Sequence, residues 1–150
     1  MNVQIERAQF EDAKIIADVF NASFYGDYIR YGACPGYNKT ESSIKDSMLN
    51  HIVFKIMIGT EIVGAVSVKT VSDHSFFLGA LCVVPEWANK GIGQQAMHFL
   101  DREFSGARHW ALETPADKIQ NHYFYKKFGY RVTKEYTDGN VVIAYFEHHL

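Results

Sequence analysis

The segment Val83 to Ala96, "VVPEWANKGIGQQA", ends an apolar run at Pro85 and then places Gly91 and Gly93 two residues apart. Glycines at that spacing after a strand mark the start of a helix. A helix start offers unpaired N–H groups and the positive end of a dipole, so the chemistry expected here is anion binding. One candidate anion is a dinucleotide. The letters G-I-G-Q-Q-A fit G-x-G-x-x-A, and Glu113 follows about twenty residues later, where a ribose-binding acid belongs. Two features oppose it. Pro85 to Lys90 separate the strand from the glycines, and the 37 residues after Glu113 end in a hairpin pattern, leaving no room for further βαβ units.

The other candidate is a pyrophosphate wrapped by successive backbone N–H groups of Asn89, Lys90, Gly91, Ile92, Gly93 and Gln94. Lys90 would supply counter-charge, and glycine would let backbone approach phosphate with no Cβ between. The strand end at Cys82, Val83 and Val84 would then face whatever hangs from that pyrophosphate. A long amide-bearing arm pairs along a strand edge as an extra strand does. Coenzyme A has such an arm.

The stretch "LCVVPEWANKGIGQQAMHFL" resembles the acyl-CoA-binding segment of the GNAT-type N-acetyltransferase superfamily, in which a strand ending V-x-P-E leads to Q/R-x-x-G-x-G/A. "NHYFYKKFGY", Asn121 to Tyr130, resembles that superfamily's N-x-x-x-Y-x-x-x-G-F/Y helix end. The order of elements from residue 3 to 148 is similar as well. One position departs: Ala88 stands where the family has Gln or Arg, which keeps a backbone donor and loses the side chain.

The resemblance implies an acetyl-CoA-dependent enzyme acting on a primary amine of a small molecule or peptide. Cys82, Val83 and Val84 would hold the pantetheine arm, with a backbone N–H near Val83 aimed at the thioester oxygen. Tyr125 matches the family's general acid, and a phenol with pKa about 10 stays protonated at neutral pH to reprotonate a thiolate. Asn121, one turn earlier, would touch the arm. Glu113, across from the thioester, would serve as base, directly or through water. Acceptors in this family enter near the early helical region, here "FYGDYIRYGACPGYNKTESS", where Tyr28, Arg30 and Tyr31 would line the slot. A non-catalytic acyl-CoA sensor, with Tyr125 packing like Phe124 and Phe128, is the alternative. Cys82 lies in an apolar run without a nearby histidine, so direct transfer is expected and no acyl-enzyme. His148 and His149 adjoin at the chain end with no third ligand in the sequence, which implies no metal.

These groups need a scaffold, and the chain is long enough for one domain spanning 1–150, with 47% hydrophobic and 15% aromatic residues. A net charge of -2 argues against nucleic acid as partner, and no apolar run reaches the roughly 18 residues of a membrane helix. Two cysteines in unlike contexts and an N-terminus without a signal-peptide core predict a cytoplasmic protein. Periodicity predicts strands over 2–7, 51–58, 62–70, 76–84, 109–113, 130–136 and 141–148. It predicts helices over 11–24, 43–50, 91–104 and 117–128, with 25–42 as a loop holding at most a short helical turn. The expected fold is α/β: a mixed, largely antiparallel central sheet of 6–7 strands flanked by four helices. Its last strands offer an edge for pairing into a homodimer.

Overall fold

Apolar alternation over residues 51–84 builds the centre of the sheet. In the computed structural model, which describes residues 2–150, this region forms β2 (Ile52–Ile58), β3 (Glu61–Ser72) and β4 (Ser75–Val83). The three make an antiparallel meander, and β1 (Val3–Arg7) adds outside β2. Beyond β4 the chain crosses over and returns as β5 (His109–Pro115), which pairs parallel to β4. The hairpin β6 (Arg131–Asp138) and β7 (Val141–His149) completes the sheet, with β7 against β5 and β6 at the free edge. The order is β1-β2-β3-β4-β5-β7-β6, with one parallel interface. This is the mixed, largely antiparallel α/β sheet that the sequence predicts.

Four helices cover it: α1 (Ala13–Tyr31), α2 (Glu41–Asn50), α3 (Ile92–Glu103) and α4 (Ile119–Lys126). Strand alternation sorts them onto two faces. Lys55 reaches Asp12, just ahead of α1, at 2.9 Å, while its neighbour Phe54 packs edge-on to Phe99 of α3. Ile16 and Phe20 of α1 are buried on one face, and Ile92, Ala96 and Leu100 of α3 on the other. Phe146 of β7 is fully buried and packs against Tyr125 of α4. Each of the larger side chains among these, from Ile16 to Phe146, contributes about 1.5–3 kcal/mol by leaving water.

Several boundaries move by a residue or two, and the shifts of α2 and α1 have a local cause. α2 begins at Glu41, ahead of the expected start, because Thr40 and Ser43 cap each other: Ser43 N–H donates to Thr40 Oγ1 at 3.1 Å and Thr40 N–H to Ser43 Oγ at 2.9 Å. α1 runs seven residues past Phe24 and ends at Gly32, whose φ of 76° is the left-handed conformation that closes helices. Tyr25 to Tyr31 therefore continue the helix, where at most a short helical turn within a loop was expected. No helix among the described residues is long and apolar enough to cross a membrane.

Candidate active site

The pairing of β4 with β5 stops early. Only Ser75 to Leu78 pair with His109 to Leu112, although β4 continues to Val83 and β5 to Pro115. Past that point the two strands share no ladder, and the sheet is notched at its centre. On its other side β4 stays paired to β3 through Val83. Val84 N–H donates to Val63 O at 2.8 Å. In an antiparallel ladder the bonding direction alternates, so Cys82 and Val84 turn their amides to β3 and Val83 turns its own into the notch. Val83 thus presents a free strand edge there.

The chain leaves β4 through a 3-10 turn over Pro85–Trp87 and reaches α3 by way of two residues with positive φ, Asn89 at 60° and Gly91 at 80°. Lys90 stands exposed between them. Among the described residues, no backbone N–H from Asn89 to Gln94 has a partner within the protein, and the first amide in use is that of Gln95, bonded to Gly91 O at 3.1 Å. Six consecutive unpaired N–H groups, a lysine and a helix start form an anion cradle. A Cβ on Gly91 would meet nothing within 4 Å, so the surface of the cradle is open. Ile92 is buried, so only its backbone serves the cradle; the side chain of Gln94 is exposed. Ala88 differs from expectation. Its N–H is bonded to Pro85 O at 3.2 Å, so it adds no free donor.

Helix α4 brings Tyr125 and Asn121 to the same region. Tyr125 is buried among Phe124, Tyr130 and Phe146, with ring centroids 5.0, 5.9 and 6.1 Å away. Burial, with Cys82 nearby adding to it, pushes its phenol well above the ordinary range. Among the described residues its hydroxyl has no hydrogen-bond partner. Asn121 Nδ2 donates to Thr114 Oγ1 at 2.9 Å. Thr114 is buried and fastens α4 to the end of β5, a role that nothing in the sequence pattern announces. Burial pushes the Cys82 thiol up to about 12, so at neutral pH it is an inert neutral group.

Glu113 is the first residue of β5 beyond the last pair with β4, hence at the mouth of the notch. It is exposed and accepts a short hydrogen bond from the Tyr136 hydroxyl of β6. That bond, with some burial, pushes the Tyr136 phenol up to about 12. The partner lies 23 residues away, and only the pairing of β7 between β5 and β6 brings it near.

The expected acceptor slot is rearranged. Arg30 Nη2 lies 3.1 Å from Asp117, and the Tyr31 hydroxyl donates to the same carboxylate at 2.7 Å. Lys118 Nζ bridges to both Asp27 oxygens at 2.9 and 2.8 Å. Tyr28 stacks on Tyr37 with centroids 4.4 Å apart. Arg30 and Asp27 thus both pair with the β5–α4 loop. These contacts latch the end of α1 across the notch. The sequence signal for this longer helix was Gly32 following Arg30 and Tyr31.

Burial, with the Asp117 hydrogen bond second, pushes the Tyr31 phenol up to about 12 as well. A phenol raised above its unfolded value adds stability that is complete below about pH 10 and lost as pH rises through about 12. Following phenolate absorbance, Tyr31 and Tyr136 should ionise late, as should the buried Tyr125 and Tyr130, and Glu113→Gln should bring Tyr136 back towards the ordinary value. A Glu113→Gln chain with the wild-type titration curve would show that this bond does not form in solution.

A family model described as an acetyltransferase (GNAT) domain matches residues 50–132, more than half the chain and all of the notch. No curated protein matches. Among solved structures, the PaiA N-acetyltransferase from Thermoplasma acidophilum, in complex with coenzyme A, superimposes with a TM-score of 0.83 at 18% identity, covering 100% of both chains. An acetyltransferase from Thermus thermophilus gives 0.79 at 18%, covering 100% of this chain and 98% of that one. A GNAT family acetyltransferase from Elizabethkingia anophelis with acetyl-CoA bound gives 0.72 at 14%, covering 99% of each. At these identities the structures speak for the fold, and the domain match over 50–132 speaks for the family. A sheet notched beside a glycine-opened helix is thus accounted for: the chain belongs to the GNAT acetyltransferases.

Proposed function

We propose that this protein moves an acetyl group from acetyl-CoA to a primary amine by direct attack on the thioester. The observation that carries the reading is continuous: the β4 edge freed after Leu78 runs through Pro85 into six unpaired N–H groups at the start of α3. A strand edge suits an amide-bearing arm, and the cradle suits the pyrophosphate at its end. Bound there, acetyl-CoA would supply an activated acyl group.

The chain's own residues supply the rest. Val83 N–H, turned into the notch, stabilises negative charge as it develops on the thioester oxygen. Tyr125 gives its phenolic proton to the departing thiolate, and its buried, protonated hydroxyl suits that task. Glu113, at the mouth of the notch, takes a proton from the acceptor's ammonium and leaves the neutral amine whose lone pair attacks; the second proton, lost from nitrogen as the amide forms, restores Tyr125. Cys82 stays protonated, which supports transfer without an acyl-enzyme. The exposed rings of Tyr25 and Tyr28 beside the notch suit a small-molecule or peptide amine.

Thermal unfolding with saturating acetyl-CoA, free CoA or NAD tests the site. A ligand at about 100 times its dissociation constant adds roughly 2.7 kcal/mol. At about 2–4 °C per kcal/mol for a domain of this size, the midpoint should rise by about 5–11 °C with the two CoA compounds and not with NAD. A rise with NAD alone would reinstate the dinucleotide reading. No rise with any of them would mean that the cradle lacks affinity without a side chain at Ala88. Binding without turnover on any amine would favour a sensor.

A further inference from the structure

Away from the notch, at the opposite end of β5, three side chains with metal-ligand chemistry converge. His109 opens β5 and sits directly across the ladder from His149 of β7, with Glu147 two residues earlier on the same face as His149. His109 Nε2 lies 2.8 Å from Glu147 Oε1, and His149 Nε2 lies 3.9 Å from that same oxygen. All three donor atoms fall within 4.8 Å of one another. The sequence shows His148 and His149 as an isolated pair; strand register supplies the missing ligands and replaces His148, which turns away to pack on Tyr130 at 5.1 Å.

We propose that His109, Glu147 and His149 form a binding site for a divalent zinc-like cation that ties β5 to β7. Tetrahedral zinc with bonds of about 2.0–2.1 Å places its ligand atoms about 3.3 Å apart. The separations of 2.8 and 3.9 Å bracket that value, and His149, two-thirds exposed, can swing to meet it. Two imidazoles and a carboxylate, with a fourth position open to water, are a donor set that zinc accepts.

The outer contacts are also in place. Ser75 Oγ lies 2.9 Å from His109 Nδ1, so with Nδ1–H donating to it the Nε2 lone pair is left for the metal. Thr133 Oγ1 donates to Glu147 Oε2 at 2.6 Å and fixes the carboxylate. Ser75, His109, Glu147 and Thr133 come from four neighbouring strands, so a cation here would join β4, β5, β7 and β6 at the closed end of the notch. Without metal, the same atoms form a His109–Glu147 hydrogen bond. The two states differ in whether a proton or a metal occupies Nε2.

The test is titration of the full chain, carrying no polyhistidine tag, with Zn²⁺ followed by calorimetry and by thermal unfolding. One zinc per chain is expected, with a raised midpoint. His109→Ala, His149→Ala and the near-isosteric Glu147→Gln should each weaken binding at least about tenfold and abolish the rise. His148→Gln should leave both unchanged. Melting without zinc verifies that each variant is folded, and Glu147→Gln serves if His109→Ala is not. No zinc bound at micromolar concentration, binding that survives Glu147→Gln and His149→Ala, or loss of binding with His148→Gln would each overturn the site.

Discussion

Replacing Tyr125 with Phe should lower turnover about 10²-fold or more while leaving the unfolding midpoint and its rise with CoA unchanged. The size follows from what is removed. The hydroxyl has no partner within the described protein, and the ring's contacts with Phe124, Tyr130 and Phe146 survive in phenylalanine. A packing role therefore predicts no effect of any kind, and a proton-donor role predicts a loss confined to kcat. Initial rates on an amine acceptor, or the slow transfer to water if no acceptor is in hand, would separate the two. Equal rates in wild type and variant would remove Tyr125 from the chemistry and leave the thiolate to be protonated by solvent.

The largest loss of stability should come from Gly64→Ala. A Cβ at Gly64 would lie 2.5 Å from the carbonyl oxygen of Cys82 and 3.0 Å from Ile56 Cδ1. The first of these is backbone held in a ladder, so β3 and β4 must part to admit the methyl group. We expect a cost of about 2–3 kcal/mol and a midpoint lowered by about 4–12 °C. Gly79→Ala is the comparison: its Cβ meets nothing closer than Ser67 O at 3.5 Å, an ordinary contact. That change should be neutral or stabilising by up to about 1 kcal/mol. Because Cys82 borders the free edge of β4, Gly64→Ala should also weaken CoA binding. Equal midpoints for the two variants would mean that the β3–β4 ladder gives way more easily than its geometry indicates.

The strands were legible in the sequence because alternation is a local signal, and the glycine cradle because it is built from consecutive residues. The limits of legibility are equally physical. Helix α1 continues past Phe24 through contacts such as Arg30–Asp117 and Asp27–Lys118, between residues 87 and 91 apart in sequence. The expected slot residues Tyr28, Arg30 and Tyr31 could be named from the sequence, but their partners could not be read. Likewise Glu113 could be seen as an acid at a strand end, while its bond to Tyr136 depends on the β5-β7-β6 register. Thr114, which anchors Asn121, sits in a short apolar strand with nothing to mark it. The notch is a property of pairing that stops, and no single strand encodes where its neighbour will leave it.

The seam between β4 and β5 is also the thinnest ladder near the middle of the sheet. It holds four residue pairs, against eight between β3 and β4 and seven between β5 and β7. Opening it would leave both flanking ladders whole, and would part the latch from α1 to Asp117 and Lys118, the Ser75–His109 contact and the packing of Trp110 on Phe76 and Phe104. Partial unfolding should therefore follow this line, with residues 109–149 separating as one cooperative unit from the meander before either comes apart. Native-state amide exchange would see two blocks of protection in a chain with one sheet. The gap that exposes the β4 edge should be the same plane along which this protein first opens.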